Sequence, residues 1–224
     1  MRSKALAPTS ILVLLIIGCA GTPQPDWQLE SRSALDRATT AWLAGNNTRV
    51  VEVDAARARA ELSRTGRPEL LARAELLLCA ARVAALEFDN NGCPAFEVLA
   101  QDAGAAENAY AEYLAGKVPA RVELLPEAQR GLATGAVTAE RLAATIKADD
   151  PLARLVAAGT ALRREGDRRL DRGVALLAID TASAQGWRRP LLAWLHIGIR
   201  QAEAAGDEKE AERLGRRAAV VSGR

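Results

Sequence analysis

The 224-residue chain has one histidine, one methionine, three cysteines and only 4% aromatic residues. A single histidine excludes most His-based metal sites and most His-dependent catalysis. With so few aromatics and Ala at roughly a fifth of the chain, an all-β fold is disfavoured, because Ala is the best helix former and is depleted in strands. Charge of one sign is also lacking, with 30 basic against 28 acidic side chains and a net charge of +2. A nucleic-acid binder needs a basic excess to displace counterions from phosphates, so no nucleic-acid partner is expected. The longest apolar run, Ile11 to Ile17, is too short to span a bilayer, which takes about 20 apolar residues. At 49% hydrophobic residues the chain is too apolar for disorder, and its length suits one ordinary domain or two small ones.

What is present begins at the N-terminus. Arg2 and Lys4 precede the apolar run, and small residues close it, in the layout of a secretory signal over residues 1–18. The run ends in Ile16-Ile17-Gly18-Cys19, which resembles the lipobox of bacterial lipoproteins, with Ile16 where Leu is usual. That resemblance implies cleavage before Cys19, acylation of Cys19 and a membrane held through the N-terminal acyl chains. Ala20, rather than Asp, follows the Cys. By resemblance to enterobacterial sorting, this implies the periplasmic face of the outer membrane. Residues 19–26 read as a lipidated linker, since Pro23 and Pro25 disfavour helix and keep it extended. Loss of residues 1–18 removes Arg2, Lys4 and the only Met, leaving equal numbers of basic and acidic side chains.

Cys79 and Cys93 remain. In an oxidising periplasm an even pair reads as a disulfide that staples the loop Asp89 to Pro94 onto the preceding helix. The alternative is a buried free thiol at Cys79 with an incidental Cys93. Neither has a second Cys or His nearby, so no metal is expected there.

Residues 27–224 read as one helical domain, with a weak internal boundary near 117–125. Apolar residues recur at intervals of three and four. Helices are expected over Asp26 to Ala44, Thr48 to Arg64 and Pro68 to Glu87, the last apolar nearly all round. Shorter helices are expected at 95–100, 103–114, 127–133 and 138–147. Asp150 before Pro151 marks an N-cap, and Asp207 with Glu210 has the spacing of a capping box. Four helices joined by short turns complete the chain, so successive helices lie antiparallel. Gly206 to Ala211 with Ala218, and Leu155, Ala158, Gly159 and Leu162, resemble helix positions of tetratricopeptide repeats. The fold expected is therefore all-α, built from antiparallel helix pairs. It is either a tetratricopeptide-like right-handed solenoid or an irregular Ala-rich helical bundle.

No nucleophile elbow, zinc-protease pair or Gly-rich phosphate loop occurs, so no catalytic residue, cofactor or enzymatic activity is assigned. Asp89-Asn90-Asn91-Gly92 resembles a fragment of a calcium loop, but the distal Glu is missing. His196, within an apolar helix, is either a base or ligand, or a packing or surface residue. The Arg-rich stretch 163–172, including Arg168 and Arg169, is either a contact for an anionic partner or a solvated turn laced with ion pairs. Trp187, Arg188 and Arg189 form either an aromatic and cationic partner anchor or a helix end with Trp187 tucked into the core. Two functions follow. One is an interaction scaffold for an envelope protein, like the tetratricopeptide lipoproteins that assist secretins, pili or outer-membrane protein insertion. The other is a cell-wall or small-ligand binding or modifying protein that uses the Arg-rich turns or a His196 pocket.

Overall fold

A computed structural model describes residues 24–89 and 92–223. The signal, Cys19 and the linker up to Pro23 lie outside the described residues. The fold is all-α. Three long helices open it: α1 (Asp26–Ala44), α2 (Thr48–Ser63) and α3 (Pro68–Ala84). A less regular middle follows, with α4 (Pro94–Glu97), α5 (Ala105–Leu114), a 3-10 turn (Val122–Leu124), α6 (Glu127–Arg130) and α7 (Ala139–Thr145). Four long helices close it: α8 (Pro151–Glu165), α9 (Arg172–Ala184), α10 (Arg188–Ala204) and α11 (Glu208–Ser222). Packing runs mainly between successive helices, α1 on α2 and α9 through α11. Two contacts join helices far apart in sequence, α3 with α8 and α1 with α10. The architecture is thus a solenoid-like succession of helix pairs with bundle-like closure.

The helix ends follow from local chemistry. Gly45 ends α1 at φ 81°, a left-handed conformation that glycine adopts without a Cβ clash. Asn47 then caps α2 by accepting from Arg49 N. Asp150 caps α8 through Ala153 N, and Asp207 caps α11 through Glu210 N. The capping box expected at Asp207 is only half formed. The Glu210 carboxylate turns forward onto Arg213, while Asp207 N donates to Ala202 O. Asp171, where a tetratricopeptide helix would carry a small residue, caps α9 by accepting from Val174 N and also accepts from Ala139 N.

The third helix stops earlier than its apolar pattern implies. Leu86 has φ 59°, and the chain reverses with Glu87 N donating to Arg82 O. A left-handed conformation costs a branched residue about 1–3 kcal/mol. Leu86 keeps it while packed against the core.

One core cluster runs from Leu43 through Leu125, Leu155 and Trp194 to Ala218. It is continuous across 117–125, where Leu125 is fully buried. A smaller cluster, Ala38, Ala41, Val51 and Ala55, seals α1 on α2. The middle is anchored through Tyr113, whose hydroxyl donates to Gln129 Oε1 at 2.8 Å, and Gln129 Nε2 donates to Ala153 O at 3.1 Å. Burial raises the Tyr113 phenol far above its usual pKa, so it remains a neutral donor.

The tightest approach is between α8 and α3. A Cβ added at Gly159 would lie 2.4 Å from Val83 O. Gly159→Ala is therefore expected to destabilise the protein by at least the 1–3 kcal/mol typical of overpacking. Gly215→Ala, where an added Cβ meets nothing within 4 Å, is expected to be neutral or stabilising by about 0.5–1 kcal/mol through helix propensity. Urea midpoints of the two variants check this, and equal midpoints would refute the close crossing.

Candidate functional site

The two arginine-bearing turns selected from the sequence sit in different places. Trp187 is the residue before α10; it is half-buried against the main core, and its backbone N–H donates to Ala182 O. Arg188 is exposed, with its side chain running over Gly45. Arg189 lies 4.0 Å above the Trp42 ring, donates to Asn46 O at 3.3 Å and pairs with Glu87 at 3.4 Å. Arg82 stands over the same ring at 5.5 Å. Arg189 is thus a joint that binds the start of α10 to the end of α1 and to the segment after α3. A stack of this kind contributes about 0.5–2 kcal/mol.

The stretch 163–172 is tied down less by ion pairs than by bonds to backbone carbonyls. Arg163 donates to Leu114 O and Asp89 O, and its guanidinium lies 5.3 Å from the Phe88 ring. Arg164 donates to Ala133 O and Gly135 O, and pairs with Glu165 at 3.1 Å. Arg169 donates to Glu165 O. Arg172 pairs with Asp207 at 2.7 Å. Arg168 is exposed and makes no hydrogen bond or ion pair among the described residues. A five-arginine run is thereby reduced to one uncommitted cation.

Arg168 lines a surface cleft of about 660 Å³ between the α8–α9 turn, the start of α9 and the end of α10. Arg172 and Arg200 line it too, with Leu170, Ala204 and Gln201. Gln201 was missed in the sequence, where it reads as a polar residue near a helix end. Its Nε2 donates to Asp167 O at 2.8 Å and to Leu170 O at 3.0 Å, while its Oε1 is buried without a partner.

A second cavity, of about 460 Å³, lies beside the cysteines, bounded by α3, the end of α2 and the segment leading into α4. Cys79 and Cys93 are joined, with their Cα atoms 5.7 Å apart. At the cavity's edge Glu75, the only buried carboxylate among the described residues, receives both arms of Arg59. His196 is exposed on α10 between buried Leu195 and Ile197. Glu75 lies on α3 and is already bound by Arg59, so His196 and a buried acid do not converge. Among the described residues no group of three His, Cys, Asp or Glu could hold a metal ion, and no helix is long and apolar enough to cross a membrane.

No family model, curated protein or solved structure matches the chain.

Two expectations follow from this geometry. The Cys79–Cys93 bond closes a sequence separation of 14 residues, so the double variant Cys79→Ser/Cys93→Ser is expected to lose about 3 kcal/mol in urea denaturation. Alkylation without reduction should leave both thiols unlabelled in the parent chain. The second concerns acid. The bond from Arg172, then that from Glu210 N, hold the Asp207 carboxyl below its ordinary pKa. A depressed carboxylate contributes stability that is present above its unfolded pKa of about 3.9 and is lost as pH falls through the folded value. The denaturation midpoints of the parent and Asp207→Asn should therefore differ near neutral pH and converge in acid. A difference that does not vary with pH would show that the Asp207 charge has no part.

Proposed function

We propose that the chain is a membrane-anchored periplasmic lipoprotein whose helical body is a protein-interaction scaffold in cell-envelope assembly or secretion. The observation that carries this reading is the lipobox-like Ile16-Ile17-Gly18-Cys19, placed a few residues before the start of α1 at Asp26. Residues 20–25 would keep the body near the lipid. Even fully extended, at about 3.5 Å per residue, the path from Cys19 to Asp26 spans no more than about 25 Å. The Cys79–Cys93 disulfide supports the same compartment, because such bonds persist where the surroundings are oxidising. Ala20 after the Cys favours the outer membrane. Exposed Val50 and Val53 on the outer side of α2 offer apolar contact area away from the core.

The test is made on the full chain in a bacterial host. The parent is expected to incorporate fatty acid and to fractionate with the outer membrane, whereas Cys19→Ser is expected to do neither. One defined envelope protein should also co-purify in stoichiometric amount with the parent and be absent from the Cys19→Ser preparation. A parent chain without acyl label would sink the anchor, and a labelled chain with no such companion would sink the scaffold.

A further inference from the structure

The Cys79–Cys93 disulfide lies in the wall of the cavity of about 460 Å³, which both cysteines line. The two residues are not equally open. Cys79 is half-buried on α3, whereas Cys93 is only 3% exposed and belongs to the core cluster. Opening a disulfide takes a thiolate that reaches one of its sulfurs, so access selects the sulfur attacked. The cavity offers that approach to Cys79. Its charges do not bar a thiolate. Three carboxylates line it, and each has an arginine beside it: Glu75 has Arg59, Glu87 has Arg189 and Asp89 has Arg163. Arg82, three residues beyond Cys79 on α3, lines the cavity too. It stands over the Trp42 ring and pairs with no carboxylate among the described residues. A cation near a sulfur favours the thiolate form.

The chain around the bond borders further open space. Gly92 also lines a cleft of about 540 Å³ against α5, and Leu86 and Phe88 also line one of about 390 Å³ against α10. Residues 86–89 are tied to the later helices by the Arg163 bond to Asp89 O and the Glu87–Arg189 pair. Sparse packing and exposed ties allow local opening while the helices stay together. We propose that Cys79–Cys93 is an exchange site for a protein dithiol of the Cys-x-x-Cys class, attacked at Cys79 Sγ through the cavity. The partner's first thiolate forms a bond to Cys79 Sγ. The Cys79–Cys93 bond breaks, and Cys93 leaves with the electron pair as a thiolate that takes a proton from water. The partner's second thiol loses its proton to water and attacks the partner sulfur of the mixed disulfide, which releases Cys79 as a thiolate. Two electrons pass to this chain, its disulfide becomes two thiols, and the partner dithiol becomes a disulfide. The step requires neither the lipid anchor nor the scaffold role.

The test uses the full chain carrying Cys19→Ser, so failure of the lipoprotein reading leaves the result intact. The probe is a thioredoxin-like Cys-x-x-Cys oxidoreductase whose second cysteine is replaced by serine, which arrests the reaction at the mixed disulfide. After an acid quench and alkylation, peptide mass mapping is expected to find the oxidoreductase on Cys79 and the alkyl label on Cys93, without urea. Ala95 is exposed on α4 and lines the cavity. Ala95→Trp is expected to slow adduct formation at least tenfold while its urea midpoint stays with the parent. In parallel, reduction of the parent by dithiothreitol is expected to keep its rate in urea concentrations below the unfolding transition. Reduction that required global unfolding would instead accelerate about fivefold or more per molar urea. An adduct on Cys93, or Ala95→Trp reacting like the parent, overturns the route through the cavity to Cys79. No adduct without urea, or a rate that climbs with urea in that way, overturns the exchange site.

Discussion

The fold depends on the crossing of α3 and α8 at Gly159. There the backbone of α8 comes so near the Val83 carbonyl that no Cβ fits between them. One residue on, Trp194 Nε1 of α10 donates to Ala84 O at 3.1 Å in a fully buried site. The last turn of α3 therefore receives α8 on one carbonyl and α10 on the next. Helices crossing this closely leave room for little beyond small side chains, and Ala72, Ala80, Ala81, Ala157, Ala158 and Ala161 provide them. The poverty in aromatics and the abundance of alanine are two aspects of this packing. Three large aromatics are fully buried, Phe96, Tyr113 and Trp194, and the last two carry a polar handle that finds a partner, Tyr113 on Gln129 and Trp194 on Ala84 O.

Small side chains bury little area each, so the irregular middle of the chain needs other fasteners. Arginines provide them. Arg130 reaches Leu125 O, Arg141 reaches Ala136 O and Gly131 O, and Arg154 reaches Ile146 O. Arg163 and Arg164 do the same from α8. Most of these carbonyls are ones that short helices and turns leave without partners, and hydrogen bonds from a charged donor are stronger than neutral ones. This use changes the functional meaning of arginine in the chain. An arginine spent on a carbonyl has fewer donors left for a partner.

Much of the helical layout was legible in the sequence, because periodicity and caps are local. The first helix spans Asp26 to Ala44 as its pattern implies, and Asp150 and Asp207 cap helices where their side-chain oxygens meet free N–H groups. The end of α3 was not legible. Its apolar pattern continues past Ala84, and the reversal rests on a leucine in a conformation that signals glycine elsewhere. Nothing in the local pattern of Trp187-Arg188-Arg189 revealed that Arg189 would stack on a tryptophan of the first helix. Nor could Gln201 be distinguished from any polar residue near a helix end, since its partners lie in the turn before α9.

The division follows the range of the forces. Helix class and most helix ends depend on residues within a few positions of one another, and the sequence alone determined them. Whether an arginine is bound or free, which carbonyl a glycine lets approach, and where a cleft opens depend on groups brought together from distant parts of the chain. Only the tertiary structure decided those, because packing and hydrogen bonding act through space on whichever groups the fold places in contact.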